Sequence, residues 1–120
     1  MPATLTSART TLNLNSDQLK IEVAETGDAV VLSLDGELDP HTAPLLDQEV
    51  QRLIGLGSTN VVLELSRLRF IDSSGLRVVI SSHRGLSAQG GRLALRSPSA
   101  TVQRLLEITG LVEHIEIAGQ

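Results

Sequence analysis

The chain has 120 residues, 41% hydrophobic and 20% charged, with a formal net charge of -4 and no cysteine. That length predicts one domain around one core, and the composition excludes wholesale disorder, disulfide stapling and thiolate chemistry. The acidic balance has the wrong sign for holding a phosphate backbone, so no direct nucleic-acid partner is expected.

A single Phe, with no Tyr or Trp, leaves almost no means of stacking bases or clamping sugars. No window approaches the roughly 18 apolar residues of a membrane span, and the N-terminus lacks the apolar stretch of a signal peptide. No membrane association is expected, and the cytoplasm is the predicted compartment. Three separated histidines without HxxxH spacing or an acidic triplet predict neither metal site nor cofactor.

Residues 1–18, rich in Thr, Ser, Ala and Asn, read as a mobile N-terminal arm, with an extended piece able to lie on an edge of the fold. The folded domain is expected over residues 19–120. From Lys20 the pattern alternates, Ile21 and Val23 against Lys20 and Glu22, and ends in a turn at Glu25-Thr26-Gly27-Asp28. Ala29 to Gly36 is then a second strand, paired antiparallel with the first. Leu46, Val50 and Leu53 share a helical stripe, with Thr42 as N-cap, Pro44 in the first turn and Gly55 and Gly57 as the stop.

Val61 to Leu65 is a short apolar run of central-strand type. Leu76, Val79, Ile80 and His83 mark a second helix ending near Gly85 or Gly90. Arg92 to Arg96 alternates as a fourth strand, and Ser97-Pro98 is expected to cap a third helix carrying Val102, Leu105, Leu106 and Thr109, closed by Gly110. Ile115 and Ile117 give a last short strand. The order β-β-α-β-α-β-α-β predicts a small α/β sandwich, a mixed β-sheet with crossover helices.

Two segments stand out as chemistry-bearing. Phe70-Ile71-Asp72-Ser73-Ser74-Gly75-Leu76 lies where a buried strand delivers the chain to a helix N-terminus, whose free N–H groups favour negative charge. A phosphate on Ser73 would meet those groups; the same residues also read as a cap and a tight approach to the sheet. Gly36-Glu37-Leu38-Asp39-Pro40-His41-Thr42-Ala43 is the other strand-to-helix link, with Asp39, His41 and Thr42 expected at its surface. It reads equally as turn chemistry plus capping. Both turns are expected on one edge of the sheet.

These two motifs, in this order, resemble the STAS domain of bacterial anti-sigma factor antagonists. Gly90-Gly91, Ser97-Pro98 and Thr109-Gly110-Leu111 extend the likeness, which covers about residues 20 to 117. The resemblance implies that Ser73, directly after Asp72, is the phosphoacceptor. It implies a partner surface of Asp39, His41, Thr42, Asp72, Ser74, Gly75 and Arg77, and a partner-switching cycle. The unphosphorylated form would bind an anti-sigma factor with Ser/Thr kinase activity and free a sigma factor; phosphorylation would end the contact until a metal-dependent Ser/Thr phosphatase resets it.

The chain departs from the family pattern in having Arg77 where many members have Gly, Pro40 before His41, a longer arm, and no usual C-terminal helix. Three rivals remain. A STAS scaffold module in a larger stress-signalling assembly shares every motif. A serine hydrolase needs a base for Ser73 or Ser74, for which His41 is the best-placed candidate, but the Gly of a nucleophile elbow is absent. A receiver domain with Asp72 as phosphoacceptor needs a late Lys, whereas the only Lys is Lys20. No catalytic activity is expected.

Overall fold

The computed structural model describes residues 8–118, and its strands follow the alternation of the sequence. β1 (Ala8–Asn15), β2 (Leu19–Thr26) and β3 (Ala29–Leu38) form an antiparallel meander. β4 (Asn60–Ile71), β5 (Arg92–Arg96) and β6 (Glu116–Ala118) continue from β3 in parallel, giving one mixed sheet in the order β1-β2-β3-β4-β5-β6. Parallel neighbours need a crossover. Three helices supply it: α1 (Ala43–Gly55), α2 (Ser73–Ala88) and α3 (Ala100–Thr109), the last followed by a 3-10 turn at Leu111–Glu113. The architecture is the expected α/β sandwich.

Register explains the core. Val23 faces Leu32, Leu32 faces Leu63 and Leu63 faces Leu95, so one buried row crosses four strands. It joins Leu46, Val50 and Leu53 of α1, Val79 and Leu86 of α2, and Val102 and Leu106 of α3 in a single cluster. Full burial of each such side chain stabilises by about 1.5–3 kcal/mol. The alternate positions, Lys20, Glu22, Ser33, Asp35 and Glu64, carry the polar face, where Arg96 Nε donates to Glu64 Oε1 at 2.6 Å.

β4 is longer than its apolar run predicts, because two bulges let it continue past Leu65. From Ser33 to Asp35 in β3 the partner advances from Glu64 to Arg67, and from Gly36 to Glu37 it advances from Leu68 to Phe70, one extra β4 residue each time. Each extra residue switches the face of the strand. Buried positions therefore run Val61, Leu63, Leu65, Leu68, Ile71, with their two odd steps at the two bulges.

Residues 8–15 of the arm form β1 on the open edge of β2, the extended edge piece that the sequence allows; a Thr- and Asn-rich stretch gains strand structure from its neighbour's ladder. Residues 1–7 of the arm lie outside the described residues. Other expectations change. The cap of α3 is Ser99, whose Oγ accepts from Val102 N at 3.3 Å, and not Ser97. Ser97 takes a positive φ of 56° and its N–H donates to the Ala118 carbonyl, so it serves the β5–β6 edge. On α2 the buried stripe is Gly75, Val79, Ser82 and Leu86; Leu76 and Ile80, which mark the apolar period of this helix in sequence, are only half-buried.

Candidate functional site: the paired strand-to-helix turns

β3 and β4 run parallel and end in register, Leu38 opposite Ile71. The Asp72 N–H donates to the Leu38 carbonyl at 3.1 Å. Asp39 and Asp72, each the residue that follows its strand, therefore open the links into α1 and α2 side by side at the C-terminal edge of the sheet. Phe70, the lone aromatic, sits just before this edge and is 46% exposed.

The first turn is organised by Asp39. Its Oδ1 accepts from His41 N at 2.9 Å and Thr42 N at 3.0 Å, and its carbonyl accepts from Ala43 N. Thr42 occupies the N-cap position of α1 without capping by its side chain. Its Oγ1 instead donates to the Glu37 carbonyl at 2.7 Å and accepts from Asp39 N at 3.0 Å. At 2% exposure Thr42 is an internal tie, which corrects its expected exposure at the surface of the turn. His41 and Pro40 are exposed and Asp39 half-buried.

The second turn is organised by Asp72, in extended conformation at the N-cap of α2. Its Oδ1 accepts from Ser74 N at 2.8 Å and Gly75 N at 3.2 Å. Two of the first-turn N–H groups expected to receive a phosphate are thus already bound to a carboxylate. Ser73 is exposed and Ser74 half-buried. Gly75, also assigned to the partner surface, is buried: a Cβ there would stand 2.7 Å from Ile71 Cγ1 and 2.8 Å from Leu38 Cβ. Its lack of a side chain lets α2 start directly against the ends of β3 and β4.

Beside Ser73 a cavity of about 470 Å³ opens between α2 and the end of α3, lined by Leu76, Arg77, Ile80, Arg84 and Leu111 among others. Arg77 and Arg84 are both exposed there. Neither makes an ion pair or hydrogen bond among the described residues. The role of Arg84 is absent from the sequence reading, although its seven-residue spacing from Arg77 places the two on one helical face. Ile108, on α3, is 73% exposed.

No hydrogen bond joins Ser73 to a histidine among the described residues. His83 is half-buried on α2 and His114 is exposed. No described helix is long and apolar enough to cross a membrane.

A family model for the STAS domain matches residues 20–119. The chain is 33% identical over 103 residues to the anti-sigma F factor antagonist of Paenibacillus polymyxa, covering 82% of this chain and 86% of the relative. It is 28% identical to the anti-sigma-B factor antagonist of Bacillus subtilis, covering 85% and 93%. The structure of the anti-sigma factor antagonist SpoIIAA in its unphosphorylated form matches with a TM-score of 0.73 and 31% identity over 83% of this chain and 89% of that one. The phosphorylated form of Bacillus SpoIIAA matches with a TM-score of 0.67 and 31% identity over 83% and 92%.

Proposed function

The chain belongs to the STAS domain family, and from that premise we propose that it is an anti-sigma factor antagonist switched by phosphorylation of Ser73. The unphosphorylated form binds an anti-sigma factor that is also a Ser/Thr kinase, and so frees a sigma factor. The kinase passes the γ-phosphoryl group of ATP to Ser73 Oγ; the hydroxyl proton is lost and ADP departs. A metal-dependent Ser/Thr phosphatase hydrolyses the phosphoester with water, which returns the Ser73 hydroxyl and releases inorganic phosphate. The chain itself catalyses neither step.

One observation carries this reading: Ser73 is an exposed hydroxyl on the first turn of α2, directly after a carboxylate whose hydrogen bonds fix that turn. A kinase can reach it without unfolding anything. The partner surface proposed around it comprises Asp39, His41, Asp72, Ser74 and Arg77, which the adjoining ends of β3 and β4 bring to one edge. SpoIIAA has been solved in both unphosphorylated and phosphorylated forms, and this chain matches both, which supports a switch that leaves the fold in place.

The test is incubation with Mg-ATP and each anti-sigma kinase encoded by the same genome, followed by mass spectrometric location of the phosphate and a pull-down of each form. Phosphate on Ser73 with loss of the complex is the expected result. Phosphate confined to Ser74, or a complex indifferent to modification, overturns the proposal.

A further inference from the structure

We propose that Arg77 is the internal counter-ion of phosphorylated Ser73, an inference that rests on the reading of Ser73 as the modified residue. The usual device for holding a phosphate at such a place is the set of free N–H groups opening a helix. Here Asp72 Oδ1 already accepts from the N–H groups of Ser74 and Gly75. A phosphate on Ser73 Oγ therefore arrives beside a carboxylate that occupies these two amides and repels it. Its charge of about -1.5 to -2 needs a cation from elsewhere.

Arg77 lies four residues on, a spacing that brings side chains on a helix to within roughly 5–6 Å at Cβ. Long helical side chains lean toward the N-terminus, which is the direction of Ser73. Both residues line the same cavity. The Arg77 guanidinium has no competing carboxylate among the described residues, unlike Arg52, Arg67, Arg69, Arg92 and Arg96, each of which faces one. Its planar fork suits two phosphate oxygens at once. Arg84 lines the same cavity but stands eleven residues from Ser73, about three turns along the axis, and contributes only to the field. Taking up part of the phosphate's charge within the chain, Arg77 limits how strongly modification repels a partner.

The test installs phosphoserine at position 73 during translation, so that no kinase is needed, and follows the second phosphate ionisation by 31P NMR. A nearby cation favours the dianion, so the pKa should lie about half a unit lower in the native chain than in Arg77→Gln, with the gap closing in high salt. Arg77→Lys should retain part of the shift, and Arg84→Gln should change it much less. Equal pKa values in the native chain and Arg77→Gln, or equal effects of Arg77→Gln and Arg84→Gln, overturn the inference. Because the phosphate is placed synthetically, failure of Ser73 as a kinase substrate shows in the pull-down and leaves this measurement intact.

Discussion

Asp72 donates its backbone N–H to the carbonyl of Leu38, and this bond, 3.1 Å long, places two helix starts next to each other. Each start carries one aspartate, and each aspartate spends an oxygen on the amides ahead of it. Two negative charges can share an edge at modest cost because each lies at the positive end of a helix dipole. The outward-facing remainder of the edge is made of His41, Ser73, Arg77 and the half-exposed Phe70.

Gly75→Ala should destabilise the fold. The added methyl stands within 3 Å of Ile71 Cγ1 and Leu38 Cβ, neither of which is the free end of a flexible side chain. Overpacking costs about 1–3 kcal/mol, and a first-turn position recovers only part of the ~1 kcal/mol helix gain of Ala over Gly. A net loss of about 1–2 kcal/mol is expected by urea denaturation; stability equal to the native chain would mean that α2 can shift freely at its start.

Asp39→Asn and Asp39→Ala separate the hydrogen bonds of the turn from its charge. Asn keeps an oxygen for His41 N and Thr42 N and should change stability by no more than a few tenths of a kcal/mol, whereas Ala should cost about 1 kcal/mol. If partner binding reads the charge, Asp39→Asn weakens the complex at unchanged melting temperature. Equal melting of both variants would show that the turn bonds to His41 N and Thr42 N contribute nothing.

The stripe Leu46, Val50 and Leu53 was legible because one helix face suffices to state it, and so was the Asp72-Ser73 turn, because cap residues before an apolar period announce a helix. Thr42 was not: the same Thr that can cap a helix can also be folded under its own turn, and only the Glu37 carbonyl above it decides. Gly75 likewise looks like loop material in sequence, while its actual role is set by Leu38, a residue 37 positions earlier whose proximity comes from parallel pairing. The bulges of β4 hid half of that strand, since period-two reading fails wherever an extra residue is inserted. Ser97 and Ser99 were interchangeable by composition and are distinguished by which amide lies in reach.

Thr42→Val should cost about 1–3 kcal/mol, because it leaves the Glu37 carbonyl and the Asp39 N–H without their partner in a buried position. Thr42→Ser keeps both hydrogen bonds and should lose much less. Comparable stabilities for the two, measured by thermal melting, would contradict the tie described here.

Glu64 supplies a pH dependence. Burial alone raises its carboxyl pKa, but hydrogen bonds from Arg96 and Ser66 outweigh that and hold it below the ordinary value of 4.5. A carboxyl depressed in the folded state contributes stability at pH above its unfolded value and loses it as pH falls through the folded value. Native chain and Glu64→Gln should differ by up to about 1 kcal/mol near neutrality, since the pair is partly exposed, and converge below pH 4.5. A difference that persists unchanged into acid would assign it to packing.

The proposed switch is expected to work through charge on a surface that does not refold. When a partner covers the edge, water leaves and the effective dielectric falls toward about 20; an added negative charge at about 5 Å from another then costs on the order of 3 kcal/mol, or roughly a hundredfold in affinity. Asp72 and Asp39 supply the charges it meets. Ser73→Asp places about one unit of that charge without the phosphate's reach to Arg77, so it should bind the anti-sigma factor weakly. Ser73→Ala preserves the uncharged surface and should bind it at least as well as the native chain, while resisting modification. Both variants should melt within a few degrees of the native chain, because Ser73 is exposed and the capping bonds belong to Asp72. Isothermal titration with the isolated anti-sigma factor decides the matter: equal affinities for Ser73→Ala and Ser73→Asp would remove Ser73 from the interface and with it the electrostatic account of release.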